Sequence, residues 1–274
     1  MLRIRSPLNK GGVADKLTSA LHQGWVNSEL INNDDLWDDE KEQDIPNAFF
    51  GLGDFNYPKV HLLHNSRKPY VFIDTPYWRR RGSKVDMRSA LWRICIGSLH
   101  VNKIIKDLDN RRYPGWDIKP WKTDKRTHVL VAESSPTINQ FIGEPHWESY
   151  AKKTLEPTRW PLIHRKKPRN GKQSGPDFAT IPLEDDFAKA EFVFSSCSIV
   201  GVEAVINGIP VVCHSLSAAA PVGSLDVTNI VKPDRRDWFK TLQYHQFTID
   251  EMINGSAYYI LKDLYIEMYP ELFS

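Results

Sequence analysis

The chain has 274 residues, 41% of them hydrophobic and 26% charged, with a formal net charge of +2. That length exceeds one small domain and suits two α/β domains, and the composition is that of an ordinary globular protein. No apolar run approaches the roughly 20 residues that span a bilayer, and the opening MLRIRSPLNKGG lacks the apolar core of a secretory signal, so a cytoplasmic protein with no membrane partner is expected. Cys95, Cys197 and Cys213 lie far apart and form no C-x-x-C pair, which argues against a zinc cluster and a disulfide framework.

From the N-terminus, LRIRS reads as a strand, Lys10-Gly11-Gly12 as a turn, and VADKLTSALHQGWV as a helix with Val13, Leu17, Ala20 and Leu21 on one face. The acidic run NNDDLWDDEKEQD reads as a loop or exposed helix. AFFGLG is strand-like, PKVHLLHNSRK is a helix opened by proline, and PYVFID is a buried strand. This alternation predicts a parallel sheet covered by helices. The segment DNRRYPGWDIKPWKTDKR, rich in proline, glycine and charge, reads as a linker. Beyond it come THVLVAE (strand), HWESYAKKTL (helix), PLIHRK (strand), PLEDDFAKA (helix), EFVF (strand), SIVGVEAVING (helix) and PVVC (strand). The remainder, from Asp234, reads as helical, with Thr248 and Glu251 spaced as a capping box. The expected domains are 1–118, 119–245 and a helical tail, 246–274, packing back on the first. Two such domains place a cleft between the carboxyl ends of their sheets, where ligands of open α/β sheets bind.

The chemistry concentrates in EFVFSSCSIVGVEAVINGIPVVC. A strand ends in Ser195, Ser196, Cys197 and Ser198, and a helix begins at once. Hydroxyls and a helix N-terminus together suit a diphosphate, although Ser195 and Ser198 also serve as plain caps in this pattern. Gly201 permits close helix packing, and Glu203, one to two turns in, has the reach to accept two ribose hydroxyls. In PLIHRKKP a strand delivers Arg165 and Lys167, cations suited to a departing diphosphate. Asp74 closes PYVFID and is the first candidate to take an acceptor proton, with Asp54 of GLGDF the second; Asp74 also fits a turn cap before Thr75-Pro76. Ser134, Ser135 and His214 follow strands and are possible donor contacts. Arg79, Arg80 and Arg81 are placed to grip phosphates, and Tyr77 or Trp78 to stack on a base. His22, His61 and His64 read as structural.

The Ser195–Cys213 pattern resembles the sugar-nucleotide motif of GT-B glycosyltransferases: a serine- or glycine-rich turn, a helix with glutamate, alanine and glycine, then a Pro-Val strand. It is most similar to the version in capsule-polysaccharide glycosyltransferases and related phage proteins. KGGVADKL is similar to the KxGGL-type loop of starch and glycogen synthases, without its leucine, and brings Gly12 toward the donor diphosphate. The resemblance implies the GT-B fold, two Rossmann-like domains facing across a cleft. It implies a metal-independent transferase with no cofactor and a nucleotide sugar, UDP-linked, as co-substrate. Ser195, Ser196, Ser198, Arg165 and Lys167 would then hold the diphosphate and Glu203 the ribose. PYVFIDTPYWRRR and the tail WFKTLQYHQFTIDEMINGSAYYIL look like segments of phage-encoded glycosyltransferases, some of which glycosylate hydroxymethylated bases. That implies a double-stranded DNA acceptor held by Arg79, Arg80, Arg81 and Trp78 in a host cytoplasm. Two alternatives stay open: a capsule-type transferase with a carbohydrate acceptor, and a non-catalytic nucleic-acid-binding protein.

Overall fold

In a computed structural model, residues 1–6, 11–33, 37–38, 44–78, 89–113, 117–124, 126–165 and 182–274 are described. They form an α/β protein with two compact units, Met1–Val101 with Tyr244–Ser274, and Asn102–Gln243.

The first unit holds a sheet with the order β10-β5-β4-β3-β1-β2. Its strands are β1 (Leu2–Ser6), β2 (Ser28–Asn32), β3 (Asn47–Phe50), β4 (Tyr70–Asp74), β5 (Trp92–Ile96) and β10 (Gln246–Phe247). β2, β1, β3 and β4 pair in parallel. β5 runs antiparallel to β4 and β10 antiparallel to β5. The expected parallel sheet is present in four strands, and WRICI and Gln246–Phe247 add an antiparallel edge to it. Val71, Phe72, Ile73, Ile94 and Cys95 are fully buried, as interior strands covered on both faces require. Helix α1 (Val13–Gly24) follows β1 and buries Leu17, Ala20 and Leu21, while Val13 stays half-exposed. α2 (Tyr57–Asn65), with proline in its first turn, joins β3 to β4.

The tail belongs to this unit. α8 (Ile249–Ile253) carries the expected capping box of Thr248 and Glu251, and α9 (Ser256–Tyr265) buries Ala257, Tyr258 and Leu261. Trp25 locks this end, stacking on Phe273 at 5.5 Å and donating its indole N–H to the Leu272 carbonyl at 3.1 Å.

The second unit holds β6 (His128–Ala132), β7 (Leu162–Arg165), β8 (Ala190–Ser195) and β9 (Val211–Cys213) in the order β7-β6-β8-β9. All neighbours are parallel. α3 (Pro136–Phe141), α4 (Trp147–Leu155), α5 (Leu183–Lys189), α6 (Ile199–Ile206) and α7 (Arg236–Tyr244) accompany them. Trp147, Ala151 and Leu155 of α4 pack on Val129, Val131, Phe192 and Phe194, with Trp147 stacked 5.2 Å from Phe194.

The proline-rich segment expected as a linker is tied into this second unit. Lys119 N–H donates to the Ile206 carbonyl at 2.9 Å and Lys122 N–H to the Gly208 carbonyl at 2.8 Å. The Arg235 guanidinium donates to the Lys119 carbonyl at 2.7 Å and lies 3.7 Å over the Trp121 ring. Gly208 ends the helix with φ +79°, and a Cβ there would fall 2.0 Å from the Pro120 carbonyl oxygen. Gly208→Ala therefore meets both a dihedral and a steric penalty, and is expected to cost at least about 2 kcal/mol in denaturant unfolding.

Burial, with a smaller push from the Arg93 charge, holds the His100 imidazole well below its ordinary range. Burial likewise lowers His64, His128 and His214. A histidine with a depressed folded pKa stabilises the fold above its unfolded pKa, and the contribution is lost as pH falls below that value. Stability is expected to drop from about pH 6.5 downward, by up to about 1.4 kcal/mol per pH unit for each such histidine. Replacing His100 with Leu should flatten that slope in urea titrations between pH 7 and 5; an unchanged slope would remove His100 from the effect.

Candidate functional site

Because β7, β6, β8 and β9 are parallel, their carboxyl ends share one edge. The register sets Arg165, Ala132, Ser195 and Cys213 in one row across it. The chain leaves β6 toward β7 on one side and returns to β8 on the other. Ligands of open parallel sheets bind outside such a reversal. The segments there are Glu133-Ser134-Ser135 after β6 and Ser196-Cys197-Ser198 after β8. They are bonded to each other, since Cys197 N–H donates to Ser134 Oγ at 3.2 Å. His214 N–H, after β9, donates to the Ser196 carbonyl at 3.2 Å.

Each serine has a distinct position. Ser198 is the N-cap of α6, and its hydroxyl accepts from Val200 N–H at 3.4 Å. Ser135 is the N-cap of α3, accepting from Ile138 N–H at 3.3 Å. Ser195 and Ser196 are fully buried, and among the described residues their hydroxyls have no hydrogen-bond partner. Of the three serines expected to grip a diphosphate, only Ser198 is open to a ligand as it stands; Ser134 is half-buried and Ser135 exposed. A helix begins immediately at this turn and directs its positive end toward the sheet edge. Gly201 seats that helix, with a built Cβ 3.3 Å from Val211 Cγ2 and 3.8 Å from Ser195 Cβ. Glu203 lies half-buried on α6.

Arg165, at the end of β7, is ion-paired with Asp186 of α5, both largely buried. The pairing holds the guanidinium in place and removes part of its net charge. Lys167 lies outside the described residues. His214 is half-buried, and burial lowers its pKa despite Glu144. Its Nδ1 accepts from Leu216 N–H at 3.2 Å, so the neutral ring carries its proton on Nε2, a donor. Burial pushes the neighbouring Cys213 thiol up to about 12, which makes it an inert core group.

A shallow recess beside this row, unmarked in the sequence, is lined by Val131, Glu133, Trp147, Glu148, His164 and Arg165. Glu133 ends a strand and Trp147 opens a helix, so their positions at the edge were readable. That they meet Arg165 depends on the β6–β7 register.

In the first unit the candidates separate. Asp74 sits at the sheet's carboxyl edge, as expected, but both oxygens are engaged. Oδ2 accepts from Arg93 Nη2 at 2.7 Å, and Oδ1 accepts from Thr75 N–H at 2.7 Å. Arg93, on β5, also donates to the Thr75 carbonyl at 2.8 Å, so Asp74 anchors a buried guanidinium and caps its own turn. Asp54 is exposed and engaged by no side chain among the described residues. Tyr77 and Trp78 are buried and offer no open ring for a base; Tyr77 OH accepts from Val101 N–H at 2.7 Å. Arg79, Arg80 and Arg81 lie outside the described residues. Gly12 is the exposed N-cap of α1. Beside it Asp15 accepts from Ser6 Oγ at 3.2 Å and Gly11 N–H at 3.1 Å, so a carboxylate already occupies the anion position of that helix. The histidines read as structural are so engaged: His22 meets Ser28 Oγ at 3.0 Å and His64 meets Tyr70 OH at 3.2 Å.

A buried hydroxyl without a partner costs free energy, and removing it costs little. Ser196→Ala is therefore expected to leave the melting temperature unchanged or raise it. Ser134→Ala, which orphans Cys197 N–H, should destabilise by about 1 kcal/mol. Calorimetry of both variants checks the pair, and the reverse order would show that Ser196 has a partner in solution.

No family model matches the chain, and no curated protein matches it in sequence. Among solved structures it is similar to KpsC of Thermosulfurimonas dismutans, a beta Kdo 2,7 transferase. The identity is 14% over 94% of this chain and 99% of that one, with a TM-score of 0.47. At that level the likeness is distant, and the site stands on its own geometry.

Proposed function

We propose that the chain is a glycosyltransferase of the GT-B type that binds a nucleotide sugar on its second unit, outside the ends of β6 and β8. The observation that carries this reading is the pair of serine turns at the strand-order reversal, joined by the Cys197–Ser134 bond at the head of α6. An anion lodged there meets the helix dipole, the Ser134, Ser135 and Ser198 hydroxyls, and the His214 Nε2–H. Arg165, held by Asp186, and Lys167 supply positive charge as the bond from sugar C1 to the diphosphate oxygen breaks and the oxygen keeps the electron pair. The acceptor hydroxyl oxygen bonds to C1, and its proton passes to a carboxylate. Glu203 is assigned to the ribose hydroxyls. The diphosphate charge is balanced by these residues, with no resident metal in the scheme and UDP as the proposed nucleotide.

Transfer to a hydroxymethylated base of phage DNA is the narrower form of this reading. It rested on Arg79, Arg80 and Arg81, outside the described residues, and on Trp78, which is buried. Nothing among the described residues of the first unit favours it over a carbohydrate acceptor.

Calorimetric titration with UDP and a panel of other nucleoside diphosphates tests the donor site. Binding is expected, weakened at least about tenfold, or about 1.4 kcal/mol, by Arg165→Ala or Glu203→Ala. Failure of every nucleotide to bind at millimolar concentration would overturn the reading. Unchanged affinity in Glu203→Ala alone would remove Glu203 from the ribose role.

A further inference from the structure

The first unit has its own strand-order reversal, between β1 and β3. The loop that leaves β3 there, Gly51-Leu52-Gly53-Asp54-Phe55-Asn56, has features that packing does not explain. Phe55 is 68% exposed, and its ring stacks on no other among the described residues.

The loop is nevertheless rigidly mounted. Asn56 donates to the Phe50 carbonyl at 2.9 Å and the Gly51 carbonyl at 3.0 Å. Its own amide oxygen accepts from Asn33 at 2.8 Å. Lys59 in turn donates to the Asn33 carbonyl at 2.8 Å and to its side-chain oxygen at 3.1 Å. Asn33, Asn56 and Lys59 are all buried. A buried relay of this kind fixes the loop above it, as sites built for recognition require.

The glycines add an independent observation. A Cβ at Gly51 or Gly53 would meet nothing within 4 Å. Gly51 has φ +68°, which accounts for glycine. Gly53 has neither a left-handed backbone nor a crowded neighbour, so the protein itself makes no demand for glycine there. The bare backbone leaves low ground beside the Phe55 ring and the Asp54 carboxylate, where a flat ligand can approach closely.

We infer that this loop is an acceptor platform for a carbohydrate: Phe55 stacks on the apolar face of a sugar ring, and Asp54 accepts from its hydroxyls. The inference rests on the glycosyltransferase reading for its use of Asp54, the carboxylate left open once Asp74 is committed to Arg93. Charge selects the substrate class. Asp54 is exposed in the loop itself, and Asp15 of α1 stands beside Ser6, the last residue of β1. A polyphosphate is repelled by such an edge, whereas a neutral polyhydroxylated ligand finds acceptors for its hydroxyls.

The test uses the full chain on a glycan array of neutral and acidic oligosaccharides, with a hydroxymethylated DNA duplex as counter-probe. The wild-type protein is expected to retain neutral glycans. Phe55→Ala should lose that signal at least tenfold, Phe55→Trp should restore it, and Gly53→Val should abolish it; calorimetry should show unchanged melting for all three. UDP affinity, measured in parallel, should not move. Retention of glycans by Phe55→Ala, absence of any glycan bound by the wild type, or capture of the duplex in their place would each overturn the platform. Loss of UDP binding with Phe55-dependent glycan retention would overturn the transferase reading and leave the platform standing.

Discussion

Parallel strands cannot be joined by a tight turn, so every one of them must leave the sheet at the same edge and return by a crossover. Both sheets of this protein obey that constraint around a reversal of strand order, β1 against β3 and β6 against β8. Where two crossovers depart in opposite directions, the edge between them is left uncovered by its own connections. The serine turns of the second unit and the glycine loop of the first both stand at such an edge. Their residue types suit the position: short hydroxyl side chains where a helix starts, and glycine with an aromatic ring where a loop is held open.

Buried guanidinium groups distribute the remaining roles. Arg93, the second residue of an antiparallel strand, is almost wholly buried, and a charge there needs a partner. The register of β4 against β5 sets it opposite Asp74, whose carboxylate it occupies. Arg165 is similarly held by Asp186. In the first case the pairing withdraws a carboxylate from proton transfer. In the second it fixes a cation at the end of β7 at some loss of its net charge. The same physical demand thus gives opposite consequences, depending on which member of the pair stands at the sheet edge.

The regular elements were legible wherever periodicity and punctuation agreed. PYVFID and HVLVA are continuous apolar runs between turn residues, and Thr248 with Glu251 announces a helix start that the structure shows in full. Less legible were WRICI, which ends in apolar residues but carries Arg93 as its second residue, and the two-residue β10, too short to carry a pattern. The alternation of elements suggested a parallel sheet because an antiparallel edge leaves no local signature in its own strand. The proline-rich segment read as a linker because composition records turns and breaks, whereas its attachment to α6 is made by backbone groups that composition does not register.

For the site, the sequence by itself determined which chemistry stands at each strand end: Ser195 to Ser198 before a helix, Arg165 after Ile163 and His164, Asp54 and Phe55 after a glycine turn. Those assignments follow from local order, because a strand, a turn and a helix start are each set by residues close in the chain. Only the tertiary structure decided which of these groups are open. It buried Ser195, Ser196 and Trp78, closed Asp74 with Arg93, paired Arg165 with Asp186 and left Asp54 and Phe55 exposed. Exposure and charge pairing depend on which strand becomes whose neighbour, and that is settled by long-range packing between segments that carry no mark of each other in the chain.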